Sequence, residues 1–243
     1  SVTPEYPAGT YAYFITIDSL GNPVYPYIIG STYYGQVVAG NVPPGGHVTI
    51  SETVTQYLPK LNLTLKVIPE GYYNYQTKKL NYRDTLKAYL RQNSAPYSIK
   101  DSSLSLIDSV TFSGSFVFTG AASGNYYIQI KHRNSITTWS KNPGELIEAE
   151  IPKTYDFTSG QVQSFGSNSV QVDNSPVRYG IYCGDVNQNG TVDLSDVVLI
   201  SNDAGNFLQG YLDTDITGDR TVDLNDITMT YNNAGTFVNT IAP

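Results

Sequence analysis

The chain has 243 residues, a formal net charge of −7 and 40% hydrophobic residues, enough for packed cores in one large or two to three small domains. No apolar run reaches the roughly eighteen residues a membrane-spanning helix needs, and the single cysteine, Cys183, excludes an internal disulfide. Charge is unevenly placed. Residues 183–243 carry nine acids against one base, Arg220, whereas the rest is nearly balanced, so no basic patch points to nucleic acid.

The chain opens at Ser1 without Met or a signal peptide, so a processed or trimmed product is expected. Within residues 1–58, Tyr11, Tyr13, Ile15 and Ile17 share one parity, with Ala12, Phe14 and Thr16 on the other. Only Thr16 is polar there, which predicts a strand covered on both sides. Asp18–Asn22 reads as a turn into a second strand around Tyr25–Ile29. The run Gly9–Gly35, GTYAYFITIDSLGNPVYPYIIGSTYYG, places residues 1–35 in resemblance to the C-terminal end of YHYH-domain proteins, a secreted family. Tyr11-Ala12-Tyr13 lacks that family's histidine, so no metal or catalytic role carries over. A β-rich segment of this size buries too little surface to stand alone. It must pack on the rest of the chain or on another subunit, and an apolar strand invites strand addition in a polymer.

Residues 59–182 read as a β-sandwich of about seven strands, immunoglobulin-like or prealbumin-like. Leu61, Leu63, Leu65 and Val67 alternate with polar residues; Val110, Phe112, Phe116 and Phe118 share a parity; Tyr126, Ile128 and Ile130 form a third set, and Ile147, Ala149 and Ile151 a fourth. Turns are expected at Ser113-Gly114, Ser123–Asn125 and Asn142–Gly144. The segment Tyr126–Ser140, YYIQIKHRNSITTWS, resembles a stretch in secreted bacterial surface proteins, where such a sandwich precedes a calcium repeat. His132-Arg133-Asn134 could contact a ligand, but the favoured reading is that these groups tie a turn to neighbouring carbonyls.

The last third is a duplication. GDVNQNGTVDLSD (Gly184–Asp196) recurs as TDITGDRTVDLND (Thr214–Asp226), thirty positions on, and the register continues through Ala204/Ala234, Gly205/Gly235 and Phe207/Phe237. Calcium takes oxygen ligands from positions 1, 3, 5, 7, 9 and 12 of a twelve-residue loop, with Gly at 6 for the turn. Loop one offers Asp185, Asn187, Asn189, the Thr191 carbonyl, Asp193 and Asp196, with Gly190 at position 6. Loop two offers Asp215, Thr217, Asp219, Thr221, Asp223 and Asp226, but Thr217 is a weaker donor and Arg220 replaces the turn glycine. A side chain in a left-handed position costs about 1–2 kcal/mol, and the guanidinium brings a positive charge near the cation. Loop two is therefore expected to be the weaker site. Short helices are expected at Val197–Ile200 and Ile227–Tyr231, stopped by Gly205 and Gly235. The Asp at position 12 and the missing incoming helix resemble the dockerin family over residues 178–243. That resemblance implies a small α-helical calcium module and a cohesin-type partner.

Catalytic signals are sparse. His47 and His132 stand apart, no nucleophile elbow or phosphate loop occurs, and Glu148 and Glu150, with Glu145 nearby, read as a charged outer strand face. No enzyme is expected. Cys183 reads as a buried small hydrophobe. Of the two sequons, Asn62 could carry a glycan, while Asn189 is needed as a ligand. The expectation is a mainly β, calcium-binding, extracellular or cell-surface structural protein, with self-assembly into a filament or layer favoured over docking. The alternatives are a docking or adhesion module, or a carbohydrate-binding accessory using Trp139 and exposed tyrosines.

Overall fold

The computed structural model describes residues 59–243; the expectations for residues 1–58 lie outside the described residues. Within them the protein is mainly β, with several sheets and two short helices. The strands are β1 (Leu61–Lys66), β2 (Tyr73–Asn74), β3 (Lys79–Leu80), β4 (Asp84–Gln92), β5 (Ile99–Ile107), β6 (Ser113–Phe118) and β7 (Gly124–Lys131). They continue with β8 (Thr138–Trp139), β9 (Glu145–Ile147), β10 (Lys153–Asp156), β11 (Val170–Asn174) and β12 (Val177–Gly180). The helices are α1 (Leu194–Gly205) and α2 (Leu224–Gly235). Among the described residues no helix is long and apolar enough to cross a membrane.

Two sheets enclose the main core. One has the order β10-β1-β6, with β1 parallel to β10 and antiparallel to β6; the other runs β5-β4-β7-β8, with β9 also on β7. Period-two patterning places Leu61, Leu63 and Leu65 of β1 inward, against Leu86, Ala88 and Leu90 of β4 and Ile128 and Ile130 of β7. Each buried Leu or Ile among them contributes about 1.5–3 kcal/mol.

Several expected runs end differently. Val110 and Phe112 are not strand residues. Asp108 Oδ1 accepts from the N–H groups of Val110 (3.0 Å) and Thr111 (2.9 Å), making a turn that leaves Val110 exposed and swings Phe112, at φ 60°, into the core. The expected turn at Ser113-Gly114 is instead the start of β6, where a Cβ on Gly114 would stand 2.8 Å from Ile107 Cδ1 of β5. Ser123 precedes β7, which already includes Gly124 and Asn125; Asn142–Gly144 does turn. The run Ile147–Ile151 stops at Ile147: Ala149 and Glu150 turn, with φ 60° at Glu150, and Ile151 is exposed. Glu148 and Glu150 are exposed, but they do not share a strand.

Trp139 is not a platform. It is only 6% exposed, with the Arg91 guanidinium 5.2 Å from its ring and Tyr97 and Tyr127 edge-on to it. β5 inverts the usual pattern. Its Asp101 and Ser103 accept from the N–H groups of Gly120, just after β6, and of Val117, within β6, while Leu104 and Leu106 point outward and are exposed. Asn62 lies on the half-exposed side of β1, opposite Val117.

The helices are twelve residues each, longer than the expected segments because Asp193 and Asp223 cap them. Gly205 and Gly235 are their last residues, but the left-handed residue that ends each is Phe207 (φ 55°) or Phe237 (φ 57°). The Leu208 N–H bonds back to Asp203 O and the Phe207 N–H to Ala204 O, with Val238→Asn233 and Phe237→Ala234 as equivalents, the pattern of a Schellman stop.

The helical part leans on the sandwich. Its own core is small, built around Cys183, Val186, Ile200, Ile216 and Val222, and a second cluster joins Ile136 to Val192 and Val238. Cys183 is buried, but it does more than fill space: its N–H and thiol both donate to Glu70 Oε2, at 3.1 and 3.3 Å.

Candidate metal centre

The twelve residues expected as ligands fall in two equivalent loops, each running into a helix. In loop one the position-12 carboxylate spans the turn. Asp196 Oδ1 accepts from the Val186 and Asn187 N–H groups (3.0 and 3.1 Å), and Oδ2 from Asp193 N–H at 3.0 Å. Asp226 repeats this with Thr217 N–H (2.9 Å) and Asp223 N–H (2.8 Å). The position-9 carboxylates cap the helices: Asp193 Oδ1 accepts from Ser195 N–H, and Asp223 Oδ1 from Asn225 N–H, both at 2.7 Å. Asn187 Oδ1 accepts from Asn189 N–H, Asn189 Oδ1 from Thr191 N–H, and Asp219 Oδ1 from Thr221 N–H.

Each loop is braced by the segment after the other helix. Thr191 bridges Asn239 and Thr221 bridges Gln209, while Val192 N–H donates to Val238 O and Val222 N–H to Leu208 O. The position-7 residues are thereby fixed in register, so the duplication is an approximate two-fold in three dimensions.

The position-1 carboxylates differ. Asp185 is buried; its Oδ2 accepts from Gly190 N–H at 3.0 Å, and its Oδ1 is buried without a partner. Burial, with the Asp196 charge nearby, pushes its carboxyl up to about 6 against the Gly190 hydrogen bond. Asp215 is equally buried and also raised, again by burial first, but both its oxygens are bonded: Oδ1 to Gly218 and Asp219 N–H, Oδ2 to Arg220 N–H.

These residues fit a hard, oxygen-seeking cation. The donors are all oxygens, two buried carboxylates repel each other across each loop, and one carboxylate oxygen of loop one has no other partner. Among the described residues, however, no three or more His, Cys, Asp or Glu side chains stand together as a metal-holding group. The reason is visible in the loops: positions 1 and 12 bring carboxylates toward each other, position 9 turns to the helix N-terminus, and the other side-chain donors are amides in loop one and Thr217 with the exposed Asp219, turned to Thr221 N–H, in loop two.

Arg220 is left-handed at position 6, φ 71°, as expected from the sequence, but its charge is elsewhere. Its Nη2 donates to Tyr82 Oη at 2.7 Å, and its guanidinium lies 4.6 Å from that ring.

The sandwich grips loop two through residues that period-two reading does not single out. Asp84 Oδ2 accepts from Tyr72 O–H (2.8 Å) and Arg133 Nε (2.9 Å) and pairs with His132 Nε2 at 3.2 Å; Asp84 Oδ1 accepts from Tyr211 O–H at 2.6 Å. Although burial alone would raise the Asp84 carboxyl, the His132, Tyr211 and Arg133 contacts hold it well below the ordinary range. Asn134 Nδ2 donates to Asp215 O at 2.9 Å, and Asn81 Nδ2 to Thr217 O at 3.0 Å. A Cβ on Gly71 would stand 2.3 Å from Ile216 O, so only glycine admits this approach. Of the 132–134 turn, Asn134 ties to a carbonyl as the sequence suggested, that of Asp215 in loop two, whereas His132 and Arg133 go first to the Asp84 carboxylate.

Among solved structures, two chains from type II cohesin–X-dockerin complexes of Acetivibrio cellulolyticus are similar. The C-terminal interface mutant is 14% identical, over 71% of this chain and 94% of that chain, with a TM-score of 0.41. The N-terminal interface mutant is 13% identical, over 72% of this chain and 92% of that chain, with a TM-score of 0.38. No protein-family model and no curated protein matches the chain.

Proposed function

We propose that residues 183–243 form a dockerin-like calcium module, carried on an immunoglobulin-like or prealbumin-like sandwich, and that the protein is a non-enzymatic anchoring or adhesion unit working outside the cell. The observation that carries the calcium reading is the buried, unpartnered Oδ1 of Asp185 at loop position 1. Calcium would be held in loop one by Asp185, Asn187, Asn189, the Thr191 carbonyl, Asp193 and Asp196, and in loop two by their equivalents. It would supply the charge that these desolvated carboxylates lack. The proposed setting is extracellular or cell-surface, where calcium is abundant enough for loops of modest affinity.

Docking is supported by what the duplication leaves outside. Leu194 and Leu224, and Phe207 and Phe237, are equivalent exposed apolar residues. Between loop one and the end of α2, a cleft of about 310 Å³ is lined by Val192, Leu194, Val197, Tyr231 and Phe237. Because loop one forms one wall, the metal would set the cleft's shape. The proposed occupant, following the family resemblance, is a cohesin-type β-sandwich partner.

Self-assembly is a second reading. Its strand-addition form draws on residues 1–58, but the outward Leu104 and Leu106 of β5 offer a different apolar surface for like subunits. Sedimentation of the full chain, with and without calcium, beside biosensor binding to cohesin-type modules separates the two. Docking predicts a monomer that binds such a module only with calcium and loses binding in Leu194→Ala/Phe237→Ala. Calcium-dependent polymers with no module binding would replace it with self-assembly.

A further inference from the structure

Two arginines stand near loop two, and the one inside the loop is not the one that reaches its carboxylate. Arg220 turns out to Tyr82. Arg133 comes from the sandwich, with Nη2 3.5 Å from Asp215 O and 4.0 Å from Asp215 Oδ2, and Nη1 3.7 Å from Asp213. Its position is fixed from three sides: Nε is bonded to Asp84, Nη2 donates to Tyr72 Oη, and the guanidinium lies 4.3 Å from the Tyr211 ring. Among the described residues no guanidinium is fixed against Asp185 in loop one: Lys131 acts on it only from beyond ion-pair distance, and Asp185 Oδ1 is left unpartnered.

We propose that Arg133 is a resident cation that sets the calcium affinity of loop two below that of loop one. The proposal rests on reading both loops as calcium sites. A fixed guanidinium beside the position-1 carboxylate repels an arriving cation and already supplies part of the charge compensation the metal would bring. Asp84 anchors it from the far side, so it cannot swing away when calcium arrives. Loop two is meanwhile held in shape by Asn81, Asn134 and the Tyr72 ring packed on Gly218. The two loops then fill in order, loop one first and loop two only at higher calcium. The sandwich residue, rather than Arg220 or Thr217, makes the difference.

The test is calorimetric titration of the full chain with calcium chloride. The unmodified protein should show two steps, and Asp185→Asn should remove the tighter one, which assigns it to loop one. Arg133→Gln is expected to tighten the weaker step by roughly tenfold and to leave the tighter step in place. Because Arg133→Gln strands Asp84 and could unfold the chain, Asp84→Asn/Arg133→Gln is measured beside it. The double variant replaces the pair with neutral groups and should shift the weaker step the same way, by less. A weaker step that stays put or loosens in either folded variant overturns the inference alone, as does tightening by Arg220→Gly without tightening by Arg133→Gln. An unmodified chain that takes up no calcium overturns the calcium reading and this inference together.

Discussion

Asn134 donates from Nδ2 to the main-chain carbonyl of Asp215 at 2.9 Å, while its main-chain carbonyl accepts from Gly184 N–H at 2.7 Å. One fully buried sandwich residue therefore holds the entrance of both loops. Asn134→Ala leaves the Asp215 carbonyl without this donor in a buried site. The expected loss is about 1–3 kcal/mol, read as a lower urea midpoint. A variant as stable as the parent would show that the module does not depend on this staple.

Asp185 should act in opposite directions with and without metal. Its carboxyl is raised to about 6 by burial and Asp196, so at pH 7 the charged form opposes folding. Asp185→Asn should stabilise the chelated protein by on the order of 1 kcal/mol, the relief of the buried charge being partly offset by the new amide N–H groups, and weaken calcium binding at the same time. Thermal melts in chelator and in excess calcium check both signs. A variant less stable in chelator would contradict the electrostatic account.

Phe207 and Phe237 hold left-handed backbone positions that favour glycine, yet they are 86% and 81% exposed and bury little. Phe207→Gly and Phe237→Gly should each stabilise the fold by about 1 kcal/mol, seen as a higher melting temperature. If these side chains serve docking, the same variants should lose partner binding. Destabilisation would mean that the rings contribute packing the exposures do not reveal.

Glu70 predicts a pH dependence. Burial raises its carboxyl, against hydrogen bonds from Asn233 and Cys183. A raised carboxylate makes the native protein bind the extra proton, so its contribution to stability falls as pH rises from the unfolded value, about 4.3, through the folded one. Glu70→Gln keeps an acceptor for the three donors and should remove this downward slope. Urea titrations at several pH values above 4.3 in chelator test it; an unchanged slope in the variant would assign it to other groups.

Reading along the chain succeeds where one local rule governs. Leu61–Lys66 is half-buried by alternation, and the duplicated loops are legible because the thirty-residue repeat keeps their register; Tyr126–Ile130 forms its strand but is buried on both faces, which alternation does not reveal. It fails where a turn or tertiary contact intervenes. Asp108 diverts Val110 and Phe112 from their strand, and β5 conceals its role because Asp101, Ser103 and Ser105 share the inward parity and Ile107 is the one buried apolar residue on it. Trp139 reads as available in the sequence, but Arg91, Tyr97 and Tyr127 lie against it. Arg220 carried a charge whose direction only the Tyr82 contact reveals, and Arg133, eighty-two residues before Asp215, gave no sequence sign of meeting it.

The central claim is that the paired loops bind calcium and that the metal stabilises the module. The most direct measurement is thermal unfolding of the full chain against calcium concentration after chelation. Binding to the folded form alone adds about 2.7 kcal/mol for each site at a hundredfold excess over its Kd, so the melting temperature should climb with calcium in two stages and return with chelator. A melting temperature unchanged from chelator to several millimolar calcium would contradict the account.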